Sequence, residues 1–232
     1  MKAKPLAQEL LDELTGFDQS ILLSEFKRHR YLFECDKAIR VAPAEGYMCK
    51  AIVHSLSNDF DQMYQNFQIA MRLAPNDKLI KMNCIASLAN YGRFEEVSNL
   101  IDINALNQES IEIDAFYRVL FSTLDLDTIR KIDSDYADQI ENMLAEIEVE
   151  ISDAKKYITL FNNVMSQKKI RFGLIPAVSW RLDEDLFVYY DFVGTAEQSI
   201  EFMDEFDNLV ADLDLKHVAR KITIVLLPIG SC

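Results

Sequence analysis

Apolar residues recur at three- and four-residue intervals along most of this chain, and that spacing predicts helices. "KPLAQELLDELTG" puts Leu6, Leu10, Leu11 and Leu14 on one face of a leading helix. "NQESIEIDAFYRVLFSTLD" gives another, with Ile111, Phe116, Val119 and Leu120 on its stripe. Farther on, Ile140, Leu144, Ile147, Ile151, Ala154, Ile158, Phe161 and Met165 follow at intervals of 4-3-4-3-4-3-4, a heptad seam that predicts one long helix. Such a seam has two readings: it covers the body of the protein, or it pairs with a second copy and makes a homodimer through residues 140–165.

The pattern changes at residue 169. "KIRFGLIPAVSW" and "LFVYYDFVG" are rich in β-branched and aromatic residues, with "RLDED" between them as a hairpin connection. Pro176 cannot donate to a strand ladder, so it marks an edge or a bulge. "TAEQSIEFMDEFDNLVADL" returns to helical spacing, with Thr195 as cap and Ile200, Met203, Phe206, Val210 and Leu213 as the apolar face. "KITIVLLP" reads as a third strand, and its unbroken apolar run suits a central place in the sheet.

Before residue 103 the chain repeats itself. "ECDKAIRVAPAE" and "NFQIAMRLAPND" both close on Ala-Pro, with the prolines 32 residues apart. At an offset of 34 residues Asn58 falls on Gly92, Phe60 on Phe94, Met63 on Val97 and Phe67 on Ile101. Tyr47, Ala51, Phe67, Ala70 and Pro75 occupy the aromatic, small and proline slots of a two-helix unit, and "NYGRFEEV" supplies the bend of the next one. Over residues 19–103 the chain thereby resembles the tetratricopeptide repeat. Small residues such as Ala51 and Ala70 let two antiparallel helices approach, Pro75 ends the second helix, and Asn76-Asp77 can cap the next. The resemblance departs at Lys50 and His54, which stand in slots usually apolar, and at Lys81, where the second copy lacks its aromatic.

The expected fold is therefore α+β: an N-terminal α-helical array of tetratricopeptide-like hairpins, a long connecting helix and a small C-terminal ββαβ domain. The expected boundaries are 1–133, 134–168 and 169–232. What the resemblance implies is a concave groove, lined by first helices, that captures a protein or peptide partner. Tyr47, Lys50 and His54 on one first helix, with Lys81, Cys84 and Leu88 on the next, are its expected partner-binding residues.

Charge adds a second functional reading. The net charge is −14 and lies unevenly, since residues 1–103 hold 12 Lys/Arg against 14 Asp/Glu and residues 104–232 hold 12 against 24. An acidic second half repels a phosphate backbone, which disfavours direct nucleic-acid binding and attracts a basic protein. The alternative function is thus an acidic inhibitor, such as an immunity protein, antitoxin or anti-defence factor, that occludes a basic toxin or nucleic-acid-binding partner through residues 104–232.

Chemistry is sparse. With 6 Gly there is no phosphate-binding glycine loop, and His29, His54 and His217 form no metal-ligand spacing with the cysteines. Asp183, Glu184, Asp185 and Asp191 are acids of a turn and strand rather than a carboxylate cluster with a partner lysine. "FKRHR" at 26–30 reads as a charged helix face. The expectation is a non-enzymatic chain with no cofactor, no metal and no catalytic set. No apolar run approaches the roughly 20 residues of a membrane span. Cys35, Cys49, Cys84 and Cys232 stand far apart, which suits buried free thiols and a cytoplasmic location.

Overall fold

A computed structural model describes residues 5–17, 21–100, 120–171 and 185–228, and the backbone at 177–180. Six helices come first: α1 (Leu6–Thr15), α2 (Glu25–Val41), α3 (Pro43–Leu56), α4 (Phe60–Leu73), α5 (Lys78–Ala89) and α6 (Phe94–Leu100). Three follow residue 120: α7 (Leu126–Ile132), α8 (Ser134–Glu146) and α9 (Ile151–Lys168). The chain then runs through β1 (Ala177–Trp180), β2 (Leu186–Phe192), α10 (Ala196–Asp212), α11 (Lys216–Ala219) and β3 (Ile222–Pro228). The broad class is α+β, mostly helical, with packed helix pairs at the front and a small sheet at the end.

Local chemistry explains where the front helices start and stop. Ser24, Asp59 and Asp77 each accept a backbone N–H from the first turn of α2, α4 and α5. Both Ala-Pro corners have one geometry. Ala42 and Ala74 share φ near −137° (−136° and −138°), and their amides donate to Ala38 and Ala70 four residues back. The corners then diverge: Pro43 is already the first residue of α3, where its missing N–H costs nothing, while Pro75 precedes a turn capped by Asp77.

The bends between paired helices repeat more closely still. Asn58 and Gly92, 34 positions apart, are both left-handed, with φ of 56° and 67°. Around Asn58, the Ser57, Asn58 and Asp59 amides donate to His54, Ser55 and His54; around Gly92, the Tyr91, Gly92 and Arg93 amides donate to Leu88, Ala89 and Leu88. These are the same three hydrogen bonds shifted by one repeat. They satisfy the carbonyls a helix end leaves open.

Two hydrophobic clusters hold the chain. One spans Leu10 to Val97 and binds α1–α6; the other spans Leu120 to Leu226 and joins α7–α10 to the sheet. In the sheet β2 lies between its neighbours, antiparallel to β1 (Val178 opposite Val188) and parallel to β3 (Val188 opposite Ile224). Thr195 opens α10 with a reciprocal capping box to Gln198.

The single long helix expected over 134–168 is two helices. A left-handed Glu148 (φ 57°) breaks it, and the Val149 amide turns back to the Leu144 carbonyl at 2.9 Å. The coiled-coil reading falls with it. Ile140, Leu144, Ile147, Ala154, Ile158, Phe161 and Met165 are buried in the chain's own second cluster, leaving no seam there for a partner copy. The central strand is β2 and not "KITIVLLP", which pairs on one side only among the described residues. Two helices, α10 and α11, rather than one connect β2 to β3. Pro176, most of "RLDED", and Ile111, Phe116 and Val119 lie outside the described residues.

A three-residue strap ties the second cluster to the first. Lys169, itself left-handed after α9, pairs with Asp61 at 2.7 Å and sits over the Phe60 ring. The Arg171 amide donates to Asn58 Oδ1 at 2.7 Å, and its buried guanidinium donates to the Ile21 carbonyl.

Candidate functional site

α1 lies across α3. Ala7, Leu10, Leu11 and Leu14 face inward, and the Cys49 thiol of α3 donates to the Ala7 carbonyl at 3.6 Å. A second stripe of α1, Gln8, Leu11, Asp12 and Thr15, faces Leu79, Met82, Asn83 and Ala86 of α5 across a cleft of about 400 Å³. Each wall is an i, i+3, i+4, i+7 set, the one row of side chains that a helix can present to a single line.

The two walls differ in chemistry. On the α5 wall Leu79 and Met82 remain 43% and 40% exposed beside Ala86, an apolar rim left open among the described residues. Asn83 turns back to its own helix, donating to the Leu79 carbonyl at 2.9 Å. The α1 wall is polar. Gln8 donates to Asp12 Oδ1 at 2.8 Å and Thr15 to the Leu11 carbonyl at 2.9 Å. Asp12 is the one charged residue of the lining, so the cleft favours a cation over an anion.

None of the six sequence-derived site residues lines this cleft: Lys81, Cys84 and Leu88 lie on other stripes of α5, and Tyr47, Lys50 and His54 lie on α3. Cys84 and Leu88 have no exposed surface and pack inward from α5. Lys50 is held by Asp36 of α2 at 2.9 Å. Tyr47 is half-buried against the first cluster, and Lys81 is half-buried on α5. His54 is buried, with Nδ1 3.2 Å from Asp59 Oδ2, an oxygen that also accepts from Arg28 at 3.0 Å. Burial holds the imidazole below its ordinary value, and the Asp59 carboxylate opposes that shift. His54 therefore braces the α3–α4 bend and its Asp59 cap rather than reaching a groove.

Cys35, Cys49 and Cys84 behave as packing, and Cys232 lies outside the described residues. Burial pushes the Cys49 and Cys84 thiols up to about 12 and Cys35 higher, so all three stay protonated and unreactive near neutrality. Among the described residues no three His, Cys, Asp or Glu side chains gather as metal ligands, and no helix is long and apolar enough to cross a membrane.

The lining stripes were hard to read from sequence for a definite reason. α5 carries Leu79, Ile80, Met82, Cys84, Ile85 and Leu88 all round its axis, so spacing alone does not say which row is buried. The signal for α1 was present, since Gln8, Asp12 and Thr15 form the polar row beside its leucines. No family model, no curated protein and no solved structure matches the chain.

Proposed function

We propose that the chain is a non-enzymatic interaction module that holds a peptide segment of a partner protein in the cleft between α1 and α5. The observation that supports this is the pair of facing stripes, one apolar and exposed, the other polar and carrying only Asp12 as a charge. A suitable segment sets an apolar side chain on Leu79 and Met82 and a lysine, arginine or amide toward Asp12 and Gln8. Methionine suits such a wall because its unbranched thioether adapts to differing partners. In a tetratricopeptide-like array the first helices line the groove, and α1, α3 and α5 take that place in this reading.

Selection from a random peptide library tests it. Wild-type protein is expected to enrich apolar segments with an adjacent basic residue, and Met82→Glu with Leu79→Glu to lose them. No enrichment, or enrichment that the double variant keeps, ends the proposal.

The acidic-inhibitor reading has one observation in its favour. α10 carries Glu197, Glu201, Asp204, Glu205, Asp207 and Asp212 with no Lys or Arg. It predicts that a basic partner binds through residues 104–232 with an affinity that drops steeply with salt.

A further inference from the structure

Among the described residues, α2 carries the most exposed large apolar side chains. Phe26 and Phe33, seven residues apart on one side of the helix, are 80% and 61% exposed. Covering two such rings with a partner removes apolar surface from water and so favours association. Arg30, Lys37 and Arg40 share that face and are exposed as well. The face thus reads basic, Phe, basic, basic at residues 30, 33, 37 and 40, an interval pattern of 3-4-3.

α10 carries the same pattern in the opposite charge. Glu197, Ile200, Asp204 and Asp207 are all exposed and follow at 3-4-3, with Ile200, 63% exposed, in the slot that Phe33 holds. Both helices are 17 residues long, or about 25 Å at 1.5 Å per residue, so the two stripes match in length as well as spacing. Within one chain they belong to different hydrophobic clusters.

We infer that a second copy of this chain docks its α10 face on α2, with Ile200 against Phe33 and three acids against Arg30, Lys37 and Arg40. The inference does not rest on the cleft. The intramolecular pairs that compete are weak and exposed: Arg30 to Glu13 at 3.4 Å, and Lys37 to Glu34 at 2.9 Å with its ammonium over the Phe33 ring. On the other side Asp207 is held above its ordinary value by partial burial and by Asp204, a crowding of like charge that facing cations relieve. Each copy carries both faces. Reciprocal exchange closes a two-fold dimer, and one-way exchange extends a chain.

Analytical ultracentrifugation of the full chain over a range of concentration and salt tests this. Wild type is expected to self-associate, and to do so at least about tenfold more weakly after a tenfold rise in salt. Lys37→Glu with Arg40→Glu, and separately Asp204→Lys with Asp207→Lys, are each expected to be monomeric with an unchanged melting temperature. Mixed together, the two variants offer one intact α10 and one intact α2 and are expected to form a one-to-one complex. Phe26→Ser with Phe33→Ser is expected to weaken association without altering charge. A wild type that stays monomeric at low salt and high concentration overturns the inference. So does association that survives either charge reversal, or a mixture of the reversed variants that stays monomeric.

Discussion

The two hydrophobic clusters differ at their tightest contacts. In the first, helices meet at small residues: Ala38, Ala51 and Ala70 have almost no exposed surface, and a Cβ on Gly46 would stand 2.5 Å from the Ile39 amide nitrogen. In the second, rings fill the space between α9, α10 and the sheet. Phe161 lies 4.7 Å from Tyr190 and 5.3 Å from Phe206, and Tyr157 lies 5.0 Å from Phe206, between ring centres. Rings fill the first cluster too, with Phe67 and Tyr91 fully buried and Phe60 5.2 Å from Tyr91, but at Gly46 the approach of two backbones sets the spacing. That contact is therefore intolerant of added atoms, and the ring group around Phe161 of lost ones.

The largest effect that tests this contrast is expected at the back. Phe161→Ala removes a fully buried ring with two aromatic neighbours and should cost about 3–5 kcal/mol in urea unfolding. Next comes the front, where Gly46→Ala forces the α2 and α3 backbones apart and should cost about 1–3 kcal/mol. A Gly46→Ala protein that unfolds at the wild-type urea concentration would erase the distinction. Thr195→Ala removes half of the capping box and should cost about 1 kcal/mol, read as a loss confined to helical signal from the second cluster.

The smallest effect is expected from pH, because two influences on His54 oppose each other. Its folded-state proton affinity is lowered, so the unfolded chain takes up the proton first as pH falls through the ordinary imidazole value of 6.5. Stability contributed by neutral His54 is full above that value and declines below it. Thermal melts from about pH 8 to 5 should show a steeper fall for wild type than for His54→Gln. Parallel curves would remove His54 from the account.

Much of the front was legible because its signals are local. The Ala-Pro corners, the cap at Asp77 and the bends at Asn58 and Gly92 each need only a few adjacent residues, as does the Thr195 cap at the back. The break at Glu148 was not legible. Ile147 and Ile151 keep the four-residue beat across it, and no Gly or Pro marks a left-handed turn that a glutamate adopts only under tertiary constraint. The strand order misled for a similar reason. β3 is apolar but for Thr223, yet burial alternates along its first five residues, and β2 with Asp191 in its run is the strand flanked on both sides. For the cleft, the helices were legible and the rows on them were not, since rotation about an evenly apolar α5 is fixed by packing alone.

The strap at 169–171 has a practical consequence for anyone dividing the molecule. Arg171 roots its guanidinium under the first cluster at Ile21, while its own carbonyl accepts the Val193 amide of the second at 2.9 Å. Cutting before it strips a plug from the front piece, and cutting after it opens a frayed edge on the back piece. No clean excision point lies there, so fragments made at this strap should be less soluble than the whole.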